Sequence, residues 1–359
     1  MPLPPTGQSL DRLAWRRLRR NPLAVASMAV ITLFALVALL GYLITPDPTP
    51  YCNQQYLELA TRKPGSRATM LCLADSSRAA AAHRTSWLSR MLHGQPLPYT
   101  VVPVADYRLS ADSLFATPLA GQPLALPRSA VADIQHRTFL LGTDAYGRDV
   151  LSMLMIGSRV SLSVGFIAIL IALLIGISLG ALAAYRGGWV DNTILWLINV
   201  VWSIPTVLLV IAITFALGKG FWQIFVAVGL TMWVDVARVV RGELLSLREK
   251  EYIEATRALG FGTLRTIVRH LLPGTVGAVV VIAASNFASA ILLEAGLSFL
   301  GIGVQPPMPS WGSMVKDNSP YLLLDSAYLA LLPGAAIMLL VLAFMILASA
   351  LRDALDTRR

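Results

Sequence analysis

Long apolar runs with few charged residues constrain this chain more than any other feature of its sequence. The first run extends from Pro22 to Ile44 and contains no Asp, Glu, Lys or Arg. A helix of that length rises about 1.5 Å per residue and crosses the ~30 Å of hydrocarbon in a bilayer. Comparable runs occupy residues 161–185, 192–217, 221–240, 274–303 and 326–351. The sequence therefore predicts an all-α integral membrane protein with six transmembrane helices.

The composition agrees with this class of protein. Hydrophobic residues make up 56% of the chain and charged residues 14%, whereas soluble domains contain about 25% charged residues. The formal net charge of +9 also suits a nucleic-acid-binding protein. The arginines, however, cluster beside the apolar runs and form no basic stripe interleaved with aromatic residues. We therefore expect the positive charge to lie at membrane flanks, and we expect no nucleic-acid partner.

The polar stretches divide the chain into parts. Residues 1–21 form a basic arm with the spacing of an amphipathic helix at a membrane surface. Residues 22–44 are the first span, residues 141–352 hold the other five, and residues 353–359 form a short tail. Lys and Arg near the span ends favour an N-terminus on the cytoplasmic side. Because six spans return the chain to its starting side, both termini are expected to be cytoplasmic.

A long insert, residues 45–140, follows the first span and is expected outside the cytoplasm. Weak helical patterning near residues 54–62 and 75–92 predicts a small folded unit of unassigned fold. Its Cys52 and Cys72 are the only cysteines of the chain. Since disulfides persist in oxidising compartments, we expect these two to form one. The alternative is a pair of reduced, buried thiols.

A polar stretch at residues 249–272 separates spans four and five and reads as a helical hairpin. Tyr252, Ala255 and Leu259 share one face of its first helix, and Gly260 supplies a C-terminal stop. A loop that only joined two spans would be much shorter. The pattern predicts a docking surface, and an amphipathic helix pair resting on the bilayer remains the alternative.

Three groups of residues resemble motifs of one family. Glu254-Ala255 followed by Gly260 and Leu272-Pro273 resembles the EAA loop of ABC-importer permeases, although Thr256 stands where a second alanine is usual and His270 where isoleucine is common. The stretches LGTDAYGRD from Leu141 and LLEAGLSFLG around Glu294 are similar to motifs of the oligopeptide and dipeptide branch. Relatives with this core also carry nickel, opines and peptide-like antibiotics, so the resemblance does not identify the solute.

The resemblance implies a type I ABC-importer permease core, here with an enlarged extracytoplasmic insert, in a bacterial cytoplasmic (inner) membrane. In that family Tyr252, Glu254, Ala255, Leu259 and Gly260 would couple the permease to its ATPases. The implied partners are two ATPase subunits, a second permease subunit in a heterodimer and an extracytoplasmic solute-binding protein. The implied solutes are dipeptides, oligopeptides or peptide-like molecules, moved by alternating access.

Other classes of function receive less support from the residues. The chain contains no Walker A sequence, so ATP hydrolysis would belong to partner subunits. The spans contain no histidine or cysteine from which to build an active site, and the histidines of the insert lack metal-ligand spacing. We expect a transport subunit without cofactor or metal. A secondary, ion-coupled transporter is the alternative, but we find no repeat between the halves.

Four residues are candidates for the solute path. Glu294 places a carboxylate within span five, where a charged side chain costs free energy, so it is a functional candidate by default. The alternative is that the span ends near Gly296 and leaves Glu294 paired at the interface. Asn199, Ser203 and Pro205 could line a polar path beside a break at the proline, or could serve helix packing. Asp235 is expected to pair with Arg238 one turn later.

Overall fold

The computed structural model of the chain describes residues 10–75, 77–78, 86–218 and 220–355. Residues 1–9 of the predicted arm, 76 and 79–85 of the predicted helical stretch, and 356–359 of the predicted tail lie outside this part. The chain divides into two compact units. The first contains Met1–Phe34, Ser161–Gly303 and Ala336–Arg359, and the second contains Ala35–Val160 and Val304–Ala335.

The α-helices follow the apolar runs and their polar flanks. In chain order they are α1 (Leu10–Arg20), α2 (Pro22–Ile44), α3 (Trp87–His93), α4 (Val150–Arg186), α5 (Gly188–Trp202), α6 (Thr206–Leu217), α7 (Phe221–Arg248), α8 (Glu251–Ala258), α9 (Thr263–Thr266), α10 (Leu272–Phe299), α11 (Trp311–Asn318) and α12 (Tyr328–Leu355). A π-helical turn, Ile267–Leu271, joins α9 to α10 without a break, and short 3₁₀ turns lie at Pro50–Cys52, Leu57–Leu59, Arg128–Ala130 and Ser319–Leu323.

Five helical segments of the described chain are long and apolar enough to cross a membrane: Pro22–Ile44, Val150–Arg186, Phe221–Arg248, Thr263–Phe299 and Tyr328–Leu355. Helices α5 and α6 pass the same test as a pair, bent by 93° between Trp202 and Thr206. The total is six if the bent pair is one span. The bend lies at the expected position, because Pro205 lacks an N–H donor and disfavours a helical conformation at the preceding residue.

Several helix ends differ from the prediction. Helix α4 begins at Val150, well before the apolar run, and α7 continues to Arg248 beyond its own. Helix α10 passes through Gly296 to Phe299 without interruption. Hydropathy marks only the part of a helix that suits lipid, so polar helical turns beyond it escape a prediction based on apolar runs.

The insert departs from the all-helical expectation. Its strands are β1 (Ser66–Ala74), β2 (Tyr99–Leu109), β3 (Ser113–Pro118), β4 (Leu124–Pro127) and β5 (Val131–Phe139). They form one antiparallel sheet in the order β4-β3-β2-β1-β5. Among the described residues of the two predicted helical stretches, the first contains the 3₁₀ turn Leu57–Leu59, and the second is helical at residues 77–78 and where α3 begins. The all-α prediction therefore holds for the spans and not for the insert.

Both faces of β1, which lies between β2 and β5, are covered, which explains why its sequence shows little alternation. Met70 packs with Tyr56, Leu59 and Phe139 on one face. Leu71 packs on the other face with the residues Val104, Leu114 and Ala116. A strand buried on both sides reads as a short apolar run, which periodicity alone cannot distinguish from a helix.

The expected disulfide is wrong, because both cysteines are free and buried. Cys52 ends the turn Pro50–Cys52, and its Sγ donates to the carbonyl oxygen of Asp47 at 3.1 Å. Cys72 lies on β1, where its cross-strand neighbours are Val101 and Asp133. A disulfide needs two Cα atoms within about 7 Å. The count of cysteines and the cellular compartment do not supply that geometry.

We predict that neither thiol reacts readily with an alkylating reagent in the folded protein. Burial raises the pKa of the Cys72 thiol to about 11 and raises the pKa of the Cys52 thiol as well. At pH 8 a thiol with that pKa is only ~0.1% thiolate, the reactive form. Alkylation of Cys72 in native membranes should therefore accelerate as the pH rises toward 11. Both thiols should react promptly once detergent denatures the protein without reductant. Denatured protein that requires reductant before it reacts would contradict the result.

Candidate coupling surface and solute path

The hairpin expected at residues 249–272 consists of one separate helix and one continuous helix. Helix α8 is separate and ends before Gly260, which adopts a φ of 72°. This left-handed conformation carries little penalty for glycine but is unfavourable for residues with a Cβ atom. The N–H of Phe261 then donates to the carbonyl of Thr256 at 3.1 Å and closes the helix end. The predicted stop at Gly260 is thus present, whereas the second helix is the beginning of span five.

Helix α8 is held to its own chain by residues that periodicity did not single out. Ile253 and Thr256 are 0% and 5% exposed, and the Thr256 hydroxyl donates to the carbonyl of Ile253 at 2.7 Å. Their i, i+3 spacing is the signal that would have found this face. The predicted face lies beside this buried face and is itself exposed, since Tyr252 and Leu259 are 46% and 71% exposed.

A stack of side chains fixes the turn between α8 and α9. The guanidinium carbon of Arg265 lies 4.3 Å from the ring centroid of Phe261. The ring of His270 stacks on the same phenyl ring with centroids 5.6 Å apart. His270, a departure from the usual family pattern, therefore has a packing role in this turn.

The hairpin leaves an apolar surface uncovered by the described chain. We define the coupling surface as the exposed residues Tyr252, Glu254, Ala255, Leu259, Leu264 and Val268. Leu264 is 75% exposed although it belongs to a helix that continues into a membrane span. Contiguous exposed apolar side chains with a polar rim mark sites of protein–protein or membrane interaction.

The helix that leads into this surface is fixed by two charge-assisted contacts near its end. On α7, Arg241 makes a bidentate salt bridge to Asp191 of α5, with N–O distances of 2.6 and 2.7 Å. Arg248 donates to the carbonyl oxygen of Ala184 in the last turn of α4 at 2.8 Å. Bidentate arginine pairs restrict orientation as well as distance. The end of α7 is therefore held in a defined position against α4 and α5.

Glu294 is buried between helices. It is 0% exposed, and its carboxylate accepts hydrogen bonds from Ser161 of α4 at 3.1 Å and Ser298 of α10 at 2.7 Å. Hydroxyl groups of this kind join helices inside a membrane. The other candidates for the path, Asn199, Ser203 and Pro205, are exposed at the bend between α5 and α6.

A cavity of about 570 Å³ adjoins this bend within the first unit. Trp202, Ile204 and Thr206 line it from the bend, whereas Asn199, Ser203 and Pro205 are not among its described lining residues. Helix α7 contributes Thr231 and Asp235, and α10 contributes residues that flank Glu294. Glu294 itself is not among the described lining residues.

Asp235 does not make the expected pair with Arg238. The guanidinium carbon of Arg238 lies over the ring of Trp202, 3.6 Å from its centroid. Within the described chain Asp235 has no salt bridge, and its side chain lines the cavity. A cation over a tryptophan face is a favourable alternative to an exposed ion pair, and sequence spacing cannot rank the two.

Comparison with known proteins identifies the family. The binding-protein-dependent transport system inner membrane component family matches residues 172–359. The N-terminal transmembrane domain of oligopeptide transport permease C matches residues 9–64. These two regions leave out most of the insert and the stretch that follows it.

Three individual relatives each align with about 60% of this chain. The glutathione transport system permease protein GsiD of Pectobacterium atrosepticum is 40% identical over 61% of this chain and 72% of its own length. The dipeptide transport system permease protein DppC of Bacillus subtilis is 41% identical over 60% and 68%. The oligopeptide transport system permease protein OppC of the same organism is 36% identical over 60% and 71%.

We predict that Glu294 acts chiefly in helix packing. Glu294→Gln preserves an acceptor and a donor for Ser161 and Ser298, whereas Glu294→Leu removes their partner. Leaving buried hydroxyl groups unsatisfied costs about 1–3 kcal/mol. Thermal unfolding in detergent should therefore show a clear loss of stability for Glu294→Leu and little change for Glu294→Gln. Equal losses in the two variants would contradict this role, and a Gln variant that folds normally but transports differently would favour a place on the path.

We further predict that one substitution has different effects at two nearby glycines. Neither Gly260 nor Gly262 has another atom near the position of a Cβ atom. Gly260→Ser forces a side chain into left-handed backbone and should cost about 1–2 kcal/mol. Gly262 has a φ of −66° at the N-cap of α9, where serine is favoured. Hydrogen exchange of the α8 amides should accelerate in Gly260→Ser and not in the matched Gly262→Ser control. Identical exchange in the two variants would show that the backbone at Gly260 is not a constraint.

Proposed function

Because the chain belongs to the binding-protein-dependent transport system inner membrane components, the permease subunits of ABC importers, we propose that it moves peptides or peptide-like solutes across the membrane. The relatives named above transport glutathione, dipeptides and oligopeptides, all of which contain amide-linked amino acids. This chain is a multi-pass subunit of a transport complex in the inner membrane, and it is not an enzyme. ATP is hydrolysed by partner subunits, and a binding protein delivers the solute.

The observation that carries the coupling role is the exposed surface on an anchored hairpin. Tyr252, Ala255 and Leu259 face outward. Ile253 and Thr256 are buried and hold the same helix to its own chain. A helix fixed on one face presents the other without further loss of conformational entropy on binding. In this proposal the ATPase seats against the coupling surface, with Glu254 facing it and Gly260 providing the turn.

The connections of the hairpin explain how its displacement reaches the solute. Helix α8 follows α7 directly, and α9 continues through the π turn into α10. Both α7 and α10 line the cavity beside the bend. A movement of the hairpin driven by the ATPases would therefore shift two of the cavity walls together. This is the geometric requirement for alternating access.

The remaining parts of the proposal concern assembly and orientation. A second permease subunit completes the pathway, which runs beside Asn199, Ser203 and Pro205. Glu294 contributes through packing of α4 against α10. Both termini lie in the cytoplasm, and the sheet of the insert lies on the opposite side, where the binding protein docks. The two hydroxyl hydrogen bonds to Glu294 support its packing role, and the exposure of the bend supports its place beside the pathway.

We predict that Leu259→Arg releases the ATPase without unfolding the permease. The substitution places a charge at an exposed apolar contact, so ATPase co-purification and ATP-driven uptake should fall at least about tenfold while thermal stability is retained. Leu323→Arg is the matched control, because Leu323 is 96% exposed on the turn Ser319–Leu323 and lies outside the coupling surface.

Co-purification from membranes tests the function itself. The unmodified chain, expressed with the genes that flank its own, should bring ATPase subunits with it in detergent. A chain that purifies without any ATPase would overturn the importer assignment. An ATPase retained equally by Leu259→Arg and Leu323→Arg would leave the importer intact and remove the coupling surface from it.

A further inference from the structure

Asp235 places a carboxylate within a membrane-spanning helix, where a charged side chain costs free energy. It lies on α7, within a segment apolar enough to cross a membrane. Acidic residues in such segments are rare and face a cavity or a partner when they occur. Asp235 is partly exposed and lines the cavity of about 570 Å³ beside the bend. A carboxylate at this position is therefore expected to interact with a ligand or with a partner residue.

The nearest candidate cation on the same helix is engaged elsewhere. Arg238 follows one turn later, at a spacing that permits an ion pair. Its guanidinium lies 3.6 Å from the ring centroid of Trp202. In the described chain Asp235 makes no salt bridge and no hydrogen bond, and the charge of Arg238 acts on it only at longer range, so its carboxylate oxygens remain available to a ligand.

Two hydroxyl groups on the walls formed by α7 and α10, those of Thr231 and Ser289, also offer acceptors. The Thr231 hydroxyl donates its hydrogen to the carbonyl of Val228 at 2.8 Å, and the Ser289 hydroxyl donates to Ser285 at 3.3 Å. Their oxygen lone pairs are thus what these two residues offer to a ligand. The rest of the lining is largely apolar, with Trp202, Leu292 and Leu293 among its members. A cavity of this size with few polar groups is typical of a small-molecule site.

This combination fits an organic cation better than a metal ion. Calcium and magnesium require about six or more oxygen ligands at fixed distances, and the described residues contain no group of three His, Cys, Asp or Glu suited to a metal. An ammonium or guanidinium group needs one carboxylate and a few acceptors, while the attached carbon atoms contact apolar walls. We propose that Asp235 binds a cationic amine of the transported solute, the α-ammonium group of a peptide being the expected case.

This inference rests on the proposed function and adds the charged group that the pathway recognises. It predicts a local negative potential in the cavity that depends on Asp235. Two thiol reagents of opposite charge measure that potential: 2-(trimethylammonium)ethyl and 2-sulfonatoethyl methanethiosulfonate. The reporter is Ser289→Cys, because Ser289 is exposed and lines the same cavity. The buried Cys52 and Cys72 supply the background, measured in protein without the reporter.

The labelling is measured on the full chain in membranes, with each rate divided by that of the same reagent on a free thiol. The cationic reagent should react at least about tenfold faster than the anionic one. The ratio should fall toward one in Asp235→Asn and return in Asp235→Glu. Glu243→Gln removes a charge from the exposed surface of the same helix and should leave the ratio unchanged. A ratio that is the same in Asp235→Asn and in the parent overturns the proposal.

Protection by a peptide identifies the cation. Alanyl-alanine should slow the labelling of the Ser289→Cys reporter when Asp235 is present, and N-acetyl-alanyl-alanine, which lacks the ammonium group, should not. Equal protection by both peptides, or protection by neither, overturns the assignment to an α-ammonium group. These measurements require no ATP. Failure of the importer function would instead appear as a chain that purifies without ATPase, and the labelling ratio would still be readable.

Discussion

A polar group within hydrocarbon must find its hydrogen-bond partner inside the protein, and this constraint organises the first unit of the chain. The backbone meets it by forming helices throughout the apolar runs. The side chains meet it in pairs, of which Glu294 with two serine hydroxyls is the fully buried example. Where the helix is interrupted, between Trp202 and Thr206, the freed backbone lies next to a cavity. Irregular backbone is tolerated at membrane depth under that condition.

The same constraint gives different surroundings to Glu294 and Asp235, the carboxylates within the apolar runs 274–303 and 221–240. Glu294 and Asp235 look alike in the sequence, since each is an acidic residue among apolar neighbours. The structure surrounds one with donors from two helices and leaves the other facing a cavity, with its nearest arginine turned toward an aromatic ring. Burial with hydrogen-bond partners supports the packing role of Glu294, and access to the cavity supports the binding role proposed for Asp235. Intramembrane charge by itself did not distinguish these roles.

The parts of the structure that the sequence predicted are those governed by one strong local rule. Hydropathy located the spans, Pro205 located the bend, and Gly260 located the end of α8. The sheet of the insert was missed because β1 is covered on both faces and its pattern is ambiguous. The buried face of α8 was missed because Tyr252, Ala255 and Leu259 form a regular apolar stripe that is exposed, whereas the buried face pairs Ile253 with the polar Thr256. Which side a short helix buries is decided by its neighbours, and a single sequence does not contain that information.

The π-helical turn at Ile267–Leu271 has a consequence for the phase of the long helix that it interrupts. A π turn accommodates one more residue than an α turn, and each residue of an α-helix advances the direction of its side chain by about 100°. The outward direction of Leu264 and Val268 is therefore offset by one residue from the direction in which α10 faces the cavity. An uninterrupted helix would tie the two directions to a single periodicity. With the extra residue, the exposed face at Leu264 and Val268 and the cavity-lining face of α10 follow two separate registers along one continuous helix.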